Sequence, residues 1–232
     1  MTADLFQGWG TQLFWGTMVT LKVAFLALAA GLVIGLLVAL AMLSSSRFLR
    51  AAGDLYTTCI RGTPELLIIL LVYFGSTVAL SAALRWIGGP NTSFEMPALG
   101  AGVLALSLVF GGYAAEIFRG AFLAIPPGQI EAARAFGMSP LTLFVHIRLP
   151  LMWRYALPAL GNIWISLIKN TSLISVVGLE ELMRVSYIAT SVTRSPFHFY
   201  MLAALIYLLL TIANSLIIEW LETRANRGVR RV

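Results

Sequence analysis

Five apolar stretches dominate the chain, and each is close to the length of helix that crosses a bilayer. A hydrocarbon core about 30 Å thick takes about 20 mostly apolar residues, each rising about 1.5 Å. The spacing predicts spans at about 20–44, 65–84, 96–116, 155–178 and 197–219. Val23 to Ser46 is free of charge, whereas the fourth stretch is interrupted by Lys169. Of 232 residues, 59% are hydrophobic and 11% are charged. A soluble domain carries about 25% charged residues, so a soluble enzyme, a disordered tail and a secreted disulfide scaffold are all excluded. The expected fold class is an all-α integral membrane protein with five transmembrane helices. The whole chain, 1–232, reads as one membrane domain in contact with lipid.

Lys and Arg stay on the cytoplasmic side of a membrane. Arg47, Arg50 and Arg61 follow the first span, and Arg119, Arg134, Arg148 and Arg154 follow the third. Arg224, Arg227, Arg230 and Arg231 follow the fifth, whereas the other side holds Arg85, Arg184 and Arg194. The predicted N-terminus is therefore periplasmic and the C-terminus cytoplasmic. The net charge of +6 reads as this topology signal, with no nucleic-acid partner. Asp4 stands where a cleavable signal would be basic, so the first span reads as retained.

No chemistry of its own is apparent in the chain. Cys59 is the single cysteine, and His146 and His198 are far apart, so neither a disulfide nor a metal site is expected. The two lysines, Lys22 and Lys169, lie outside any P-loop pattern. If ATP drives this protein, another chain binds it, and no cofactor belongs to this one.

Two features could act within the membrane. Ala27, Gly31, Gly35 and Ala39 recur every fourth residue, a face suited to close helix packing. Lys169, followed by Asn170, Thr171 and Ser172, gives the fourth span a polar end, and Asn162 and Trp164 lie below it. Intramembrane charges face bundle interiors or aqueous cavities, so these six residues are candidates for a substrate pathway. A lysine extended to the outer interface is the competing reading. Glu65 and Glu116, at span ends beside Arg61 and Arg119, read as interfacial ion pairs.

The segment at about 126–150 is the most informative. Pro126, Pro127 and Gly128 break the chain, and Gln129–Phe136 reads as a short helix stopped by Gly137. Ser139 is placed to cap a second helix, with Pro140 at its first position. That helix is expected to end near Arg148, before Leu149-Pro150, because a residue preceding proline avoids helical geometry. From the residues alone, a docking knob for a soluble partner and a re-entrant structural elbow are equally good readings.

The spacing Glu131-Ala132-Ala133, three residues, Gly137, nine residues, Ile147, one residue, Leu149-Pro150 resembles the EAA loop in permease subunits of bacterial ABC importers. Arg61-Gly62-Thr63-Pro64-Glu65, Glu116 to Ala121, Asn170 to Ser175 and Gly178-Leu179-Glu180 are similar to the polar amino-acid branch of that family. Tyr155-Ala156-Leu157-Pro158 with Gly161-Asn162 and Trp164 resembles the histidine/lysine/arginine/ornithine and opine permeases. The resemblance implies an importer of the bacterial inner membrane. Its partners would be a second, non-identical permease subunit, an ATPase homodimer binding ATP and Mg, and a periplasmic substrate-binding protein. It also implies that Glu131, Ala132, Ala133, Gly137, Ser139, Leu143, Ile147, Leu149 and Pro150 form the ATPase-coupling loop. Glu131 would tie the loop to the ATPase, Gly137 would permit the bend, and the Ser139–Arg148 helix would fill a groove there.

One departure stands out. Many such relatives carry a glutamate after the asparagine that matches Asn162, and here that residue is Ile163. The expectation is that this subunit supplies no acid for a cationic substrate and that its partner permease does. The rival class is a secondary, ion-coupled transporter. That class builds its sites from broken helices and internal repeats, and neither is evident in the sequence.

Overall fold

The computed structural model describes residues 6–88 and 94–225, and every regular element among them is helical. The tail arginines Arg227, Arg230 and Arg231 lie outside the described residues. Helix α1 spans Gly10–Met42, α2 Arg47–Gly62, α3 Glu65–Gly88, α4 Ala98–Leu123 and α5 Pro127–Ala135. Helix α6 is Pro140–Leu143, followed by α7 at Leu149–Asn170, α8 at Leu182–Thr193 and α9 at Pro196–Ala225. Among the described residues, five helical stretches are long and apolar enough to cross a membrane. They are α1, α3, α4, the continuous run Pro140–Val177, and α9.

The packing centre is α4. Ala101, Ala105, Leu106, Phe110, Ala114, Ala115 and Phe118 are buried along it, and α1 lies parallel against it. The small-residue face of α1 makes this approach possible: Ala27, Gly31, Gly35 and Ala39 are all buried. A Cβ on Gly31 would meet Phe110 Cδ1 at 2.8 Å, and one on Gly35 would meet Ala114 Cβ at 2.7 Å and two backbone atoms at 3.1 Å. These residues therefore serve helix packing.

Several boundaries differ from the sequence expectation. Helix α1 starts at Gly10 instead of near residue 20, so Lys22 is an exposed residue within it. Helix α4 continues to Leu123 and α9 to Ala225. The largest difference lies before the second crossing, which itself runs as the single helix α3. Helix α2, expected as loop, packs along α1 and α4: Tyr56 Oη donates to the Leu108 carbonyl at 2.6 Å, and Gly53 lies against Met42. It ends at Thr63, which is extended (φ −109°, ψ 138°), as a residue before proline prefers. Thr63 Oγ1 closes the end by donating to the Cys59 carbonyl at 2.7 Å. Pro64 then opens α3, its carbonyl accepting from Leu67 N–H at 2.9 Å. Helix α3 therefore begins beside the middle of α4, next to Val109, Phe110 and Tyr113, and not at the end of the bundle.

The fourth crossing corrects the expected stop before Leu149-Pro150. The chain stays helical from Pro140 through Val177, because Phe144–Arg148 widens into a π-helix. The N–H of Leu149 reaches back five residues to the Phe144 carbonyl. Widening gives room for the Pro150 ring, which would otherwise clash with the carbonyl four residues before it. At the other end the helix tightens to a 3₁₀ turn over Thr171–Val177 and stops at Gly178, whose φ is +89°.

Candidate functional site: an elbow and a cavity joined by one helix

The elbow is built by local rules. Helix α5 ends at Ala135 with Phe136 as its cap, and Gly137 takes φ +73°, a left-handed conformation that glycine reaches without Cβ strain. The N–H of Gly137 donates to the Arg134 carbonyl at 2.9 Å and that of Met138 to the Ala133 carbonyl at 3.2 Å, closing the helix. Ser139 caps the next helix, its Oγ accepting from the Thr142 N–H at 3.2 Å. Ala133 of one arm and Leu143 of the other are both buried. Glu131, Ala132, Gly137, Ser139 and Pro150 are exposed, whereas Ile147 and Leu149 are half-buried.

Between the arms lies an open groove of about 510 Å³, floored by Ala133 and Leu151 and walled by Phe136, Met138, Ile147 and Pro150. Phe136 is 87% exposed and Leu141 73%. Apolar side chains this bare at one end of the bundle mark a surface built to be covered. Arg148 turns inward instead, its guanidinium 5.6 Å from the centre of the Phe122 ring.

A second feature sits at mid-height. A cavity of about 240 Å³ is lined by Glu65 of α3, by Val109, Phe110 and Tyr113 of α4, and by Ile163, Ser166, Leu167 and Asn170 of α7. The Asn170 side chain approaches the Glu65 carboxylate. Glu65 was expected in an interfacial ion pair, but the break at Pro64 carries it into the bundle. Glu116 does form such pairs: Arg119 grips it at 2.7 Å and Arg61 at 3.5 Å. Arg61 also lies 6.0 Å from the centre of the Tyr113 ring.

Of the sequence-derived pathway residues, Asn170 lines this cavity. Trp164 does not: it is buried against Phe25 and its indole N–H donates to Asn214 Oδ1 at 2.9 Å. Asn162 faces α9 near Ser215 and Glu219. Thr171 is buried and bonds within its own turn, Ser172 is half-buried, and Lys169 is exposed. Asn162, Ser166 and Lys169 follow one another along α7 (i, i+4, i+7) and are all exposed.

Sequence reasoning missed Glu181, which is fully buried. Its carboxylate caps α8, accepting from Arg184 N–H at 2.8 Å and Met183 N–H at 2.9 Å. It also accepts from Tyr207 Oη of α9 at 3.0 Å and from Thr20 Oγ1 of α1 at 3.4 Å. Burial pushes its pKa up, against the pull of these donors. An acid directly before an amphipathic helix is a capping signal, but its α1 and α9 partners are far away in sequence.

Comparison with known proteins agrees with this architecture. The octopine transport system permease protein of Rhizobium radiobacter is 45% identical over 224 residues, covering 97% of this chain and 94% of that protein. The histidine/lysine/arginine/ornithine transport system permease protein of Escherichia coli K12 is 37% identical, covering 97% of both chains. A crystal structure of an amino acid ABC transporter with histidines superposes with a TM-score of 0.80 at 35% identity, covering 97% of this chain and 100% of that one. Residues 31–231 match the model of the family described as binding-protein-dependent transport system inner membrane component. The chain belongs to that family, and its five apolar crossings are those of an inner-membrane permease.

Proposed function

We propose that the chain is one permease subunit of an ATP-driven importer that moves a polar, cationic amino acid or opine across the bacterial inner membrane. The observation that carries this reading is the unbroken helical run from the elbow groove to the cavity. From Leu149 to Ile163 it spans roughly 20 Å, so displacement at one end is felt at the other. In this reading the elbow is the EAA coupling loop, lies in the cytoplasm with the C-terminus, and seats in an ATPase homodimer that holds ATP and Mg. The N-terminus is periplasmic, where a binding protein delivers substrate. The exposed polar residues of α7 support pairing with a second permease, which this reading takes to be non-identical, because polar groups facing lipid are costly.

Co-expression with a second permease, an ATPase and a binding protein from neighbouring genes, followed by reconstitution, tests the reading. ATP hydrolysis should rise with arginine, lysine, histidine, ornithine or an opine as substrate, and the lone chain should accumulate none of them. Uptake by the lone chain on an ion gradient would instead establish a secondary transporter.

A further inference from the structure

We propose that the groove between α8 and the first half of α1 holds the headgroup of a zwitterionic phospholipid, phosphatidylethanolamine, in the leaflet opposite the elbow. In the importer reading this is the periplasmic leaflet.

The groove is open, about 570 Å³ in volume, and is lined from α1 by Gln12, Trp15, Val19 and Lys22. Val185 and Ile188 line it from α8, with Glu180 just before that helix. Among its described lining residues, Lys22 and Glu180 alone are charged; they have opposite signs and both are exposed. The ion pairs among the described residues all involve Glu116, so neither Lys22 nor Glu180 is in one. A phosphoethanolamine head offers a phosphate to Lys22 and an ammonium to Glu180, each through charge-assisted hydrogen bonds.

Depth and the neighbouring surface point to a lipid. Lys22 lies twenty residues before Met42, the end of α1. That is about 30 Å along the helix, one hydrocarbon thickness. Polar Ser44–Ser46 and Arg47 follow α1 directly, so Lys22 stands at the headgroup level of the other leaflet. Trp9 and Trp15 also line the groove, and indole rings concentrate at that level of a membrane. Beyond the groove, Leu26, Ala29, Val33 and Leu37 follow Lys22 at helical spacing and are exposed. They lie on the side of α1 away from Gly31 and Gly35, which pack on α4. From Lys22 to Val33 is about 16 Å, close to half the hydrocarbon core. An acyl chain attached to a head in the groove thus has an apolar stripe to lie along, which a soluble zwitterion would not use.

The test uses the complete importer complex in detergent, titrated with short-chain phosphatidylethanolamine or phosphatidylglycerol and read by native mass spectrometry. Wild type should bind phosphatidylethanolamine more tightly at its strongest site, because phosphatidylglycerol has the phosphate but no ammonium. E180Q should weaken phosphatidylethanolamine about 5–10-fold, between the loss of an exposed ion pair and of a charged hydrogen bond. It should leave phosphatidylglycerol unchanged, whereas K22Q should weaken both lipids. A wild type without preference overturns the proposal, and so does E180Q that binds both lipids normally or weakens both equally. A photo-cross-linking amino acid at Gln12 should capture phosphatidylethanolamine in nanodiscs; capture of another subunit would put a protein in the groove and overturn the assignment. Should the charge variants fail to accumulate, the Gln12 cross-link decides alone. None of these readouts depends on transport, so they decide the site whatever the complex carries.

Discussion

Glu181→Ala should loosen the molecule where α1, α8 and α9 meet. The substitution removes the acceptor for two N–H groups of α8, at 2.8 and 2.9 Å, and for the Tyr207 hydroxyl at 3.0 Å. Loss of an N-cap costs about 1 kcal/mol, and a buried phenol left unpaired costs about 1–3 kcal/mol more. The Thr20 hydroxyl, at 3.4 Å, adds little. A total near 3 kcal/mol corresponds to a Tm lower by roughly 6–12 °C for a chain of this length. Intrinsic fluorescence of the purified complex during heating reads this directly. Glu181→Gln keeps one acceptor and should fall between the two. A pH series adds a signed check. Because burial raises the pKa of Glu181, the native state holds that proton more tightly than the unfolded chain. Its contribution is complete below the ordinary glutamate range and is lost as pH climbs through the raised value. Wild-type Tm should therefore decline over that window, and the Gln variant should lack that component. An Ala variant melting within about 2 °C of wild type, at most about one kcal/mol on the same scale, would refute the clamp.

Two other substitutions separate coupling from packing. Gly137→Val places a β-branched residue at φ +73°, a strain of about 1–3 kcal/mol; ATP hydrolysis should persist while uptake falls, and normal uptake at normal abundance would end the coupling role. Gly35→Leu drives a side chain into Ala114 and the α4 backbone, an overpacking cost of about 1–3 kcal/mol or more; membrane abundance should fall with hydrolysis and uptake alike, and full abundance would mean that α1 and α4 pack less tightly than the structure has them.

Much of this fold was legible where a single local rule governs. The apolar runs located the crossings, and Pro126-Pro127-Gly128, Gly137 and Ser139-Pro140 located the elbow. The failures came where tertiary packing overrides the local rule. Arg47, Asp54 and Arg61 interrupt the apolar pattern of α2, yet Tyr56 and Gly53 still hold one side of it against α4 and α1. With α2 read as loop, Glu65 had to lie at the membrane surface. Leu149-Pro150 signals a helix stop to any rule based on nearest neighbours, and only the π-helix before it shows how the helix continues.

These misreadings bear on mechanism, because each concerns how motion crosses the molecule. Had the helix stopped before Pro150, a flexible joint would separate the groove from the cavity, and a push at the elbow would dissipate in local rotation. The continuous run removes that joint on the α7 side. On the opposite cavity wall the reverse holds. Thr63 is already extended and Pro64 donates no hydrogen bond, so α2 and α3 can rotate against each other without rupturing a helical ladder. A continuous helical rod carrying Ile163, Ser166 and Asn170, with Pro158 inside it, thus faces a jointed wall carrying Glu65. In the proposed cycle, movement of the rod changes the separation of Asn170 from Glu65, so the shape of the cavity changes with the state of the elbow.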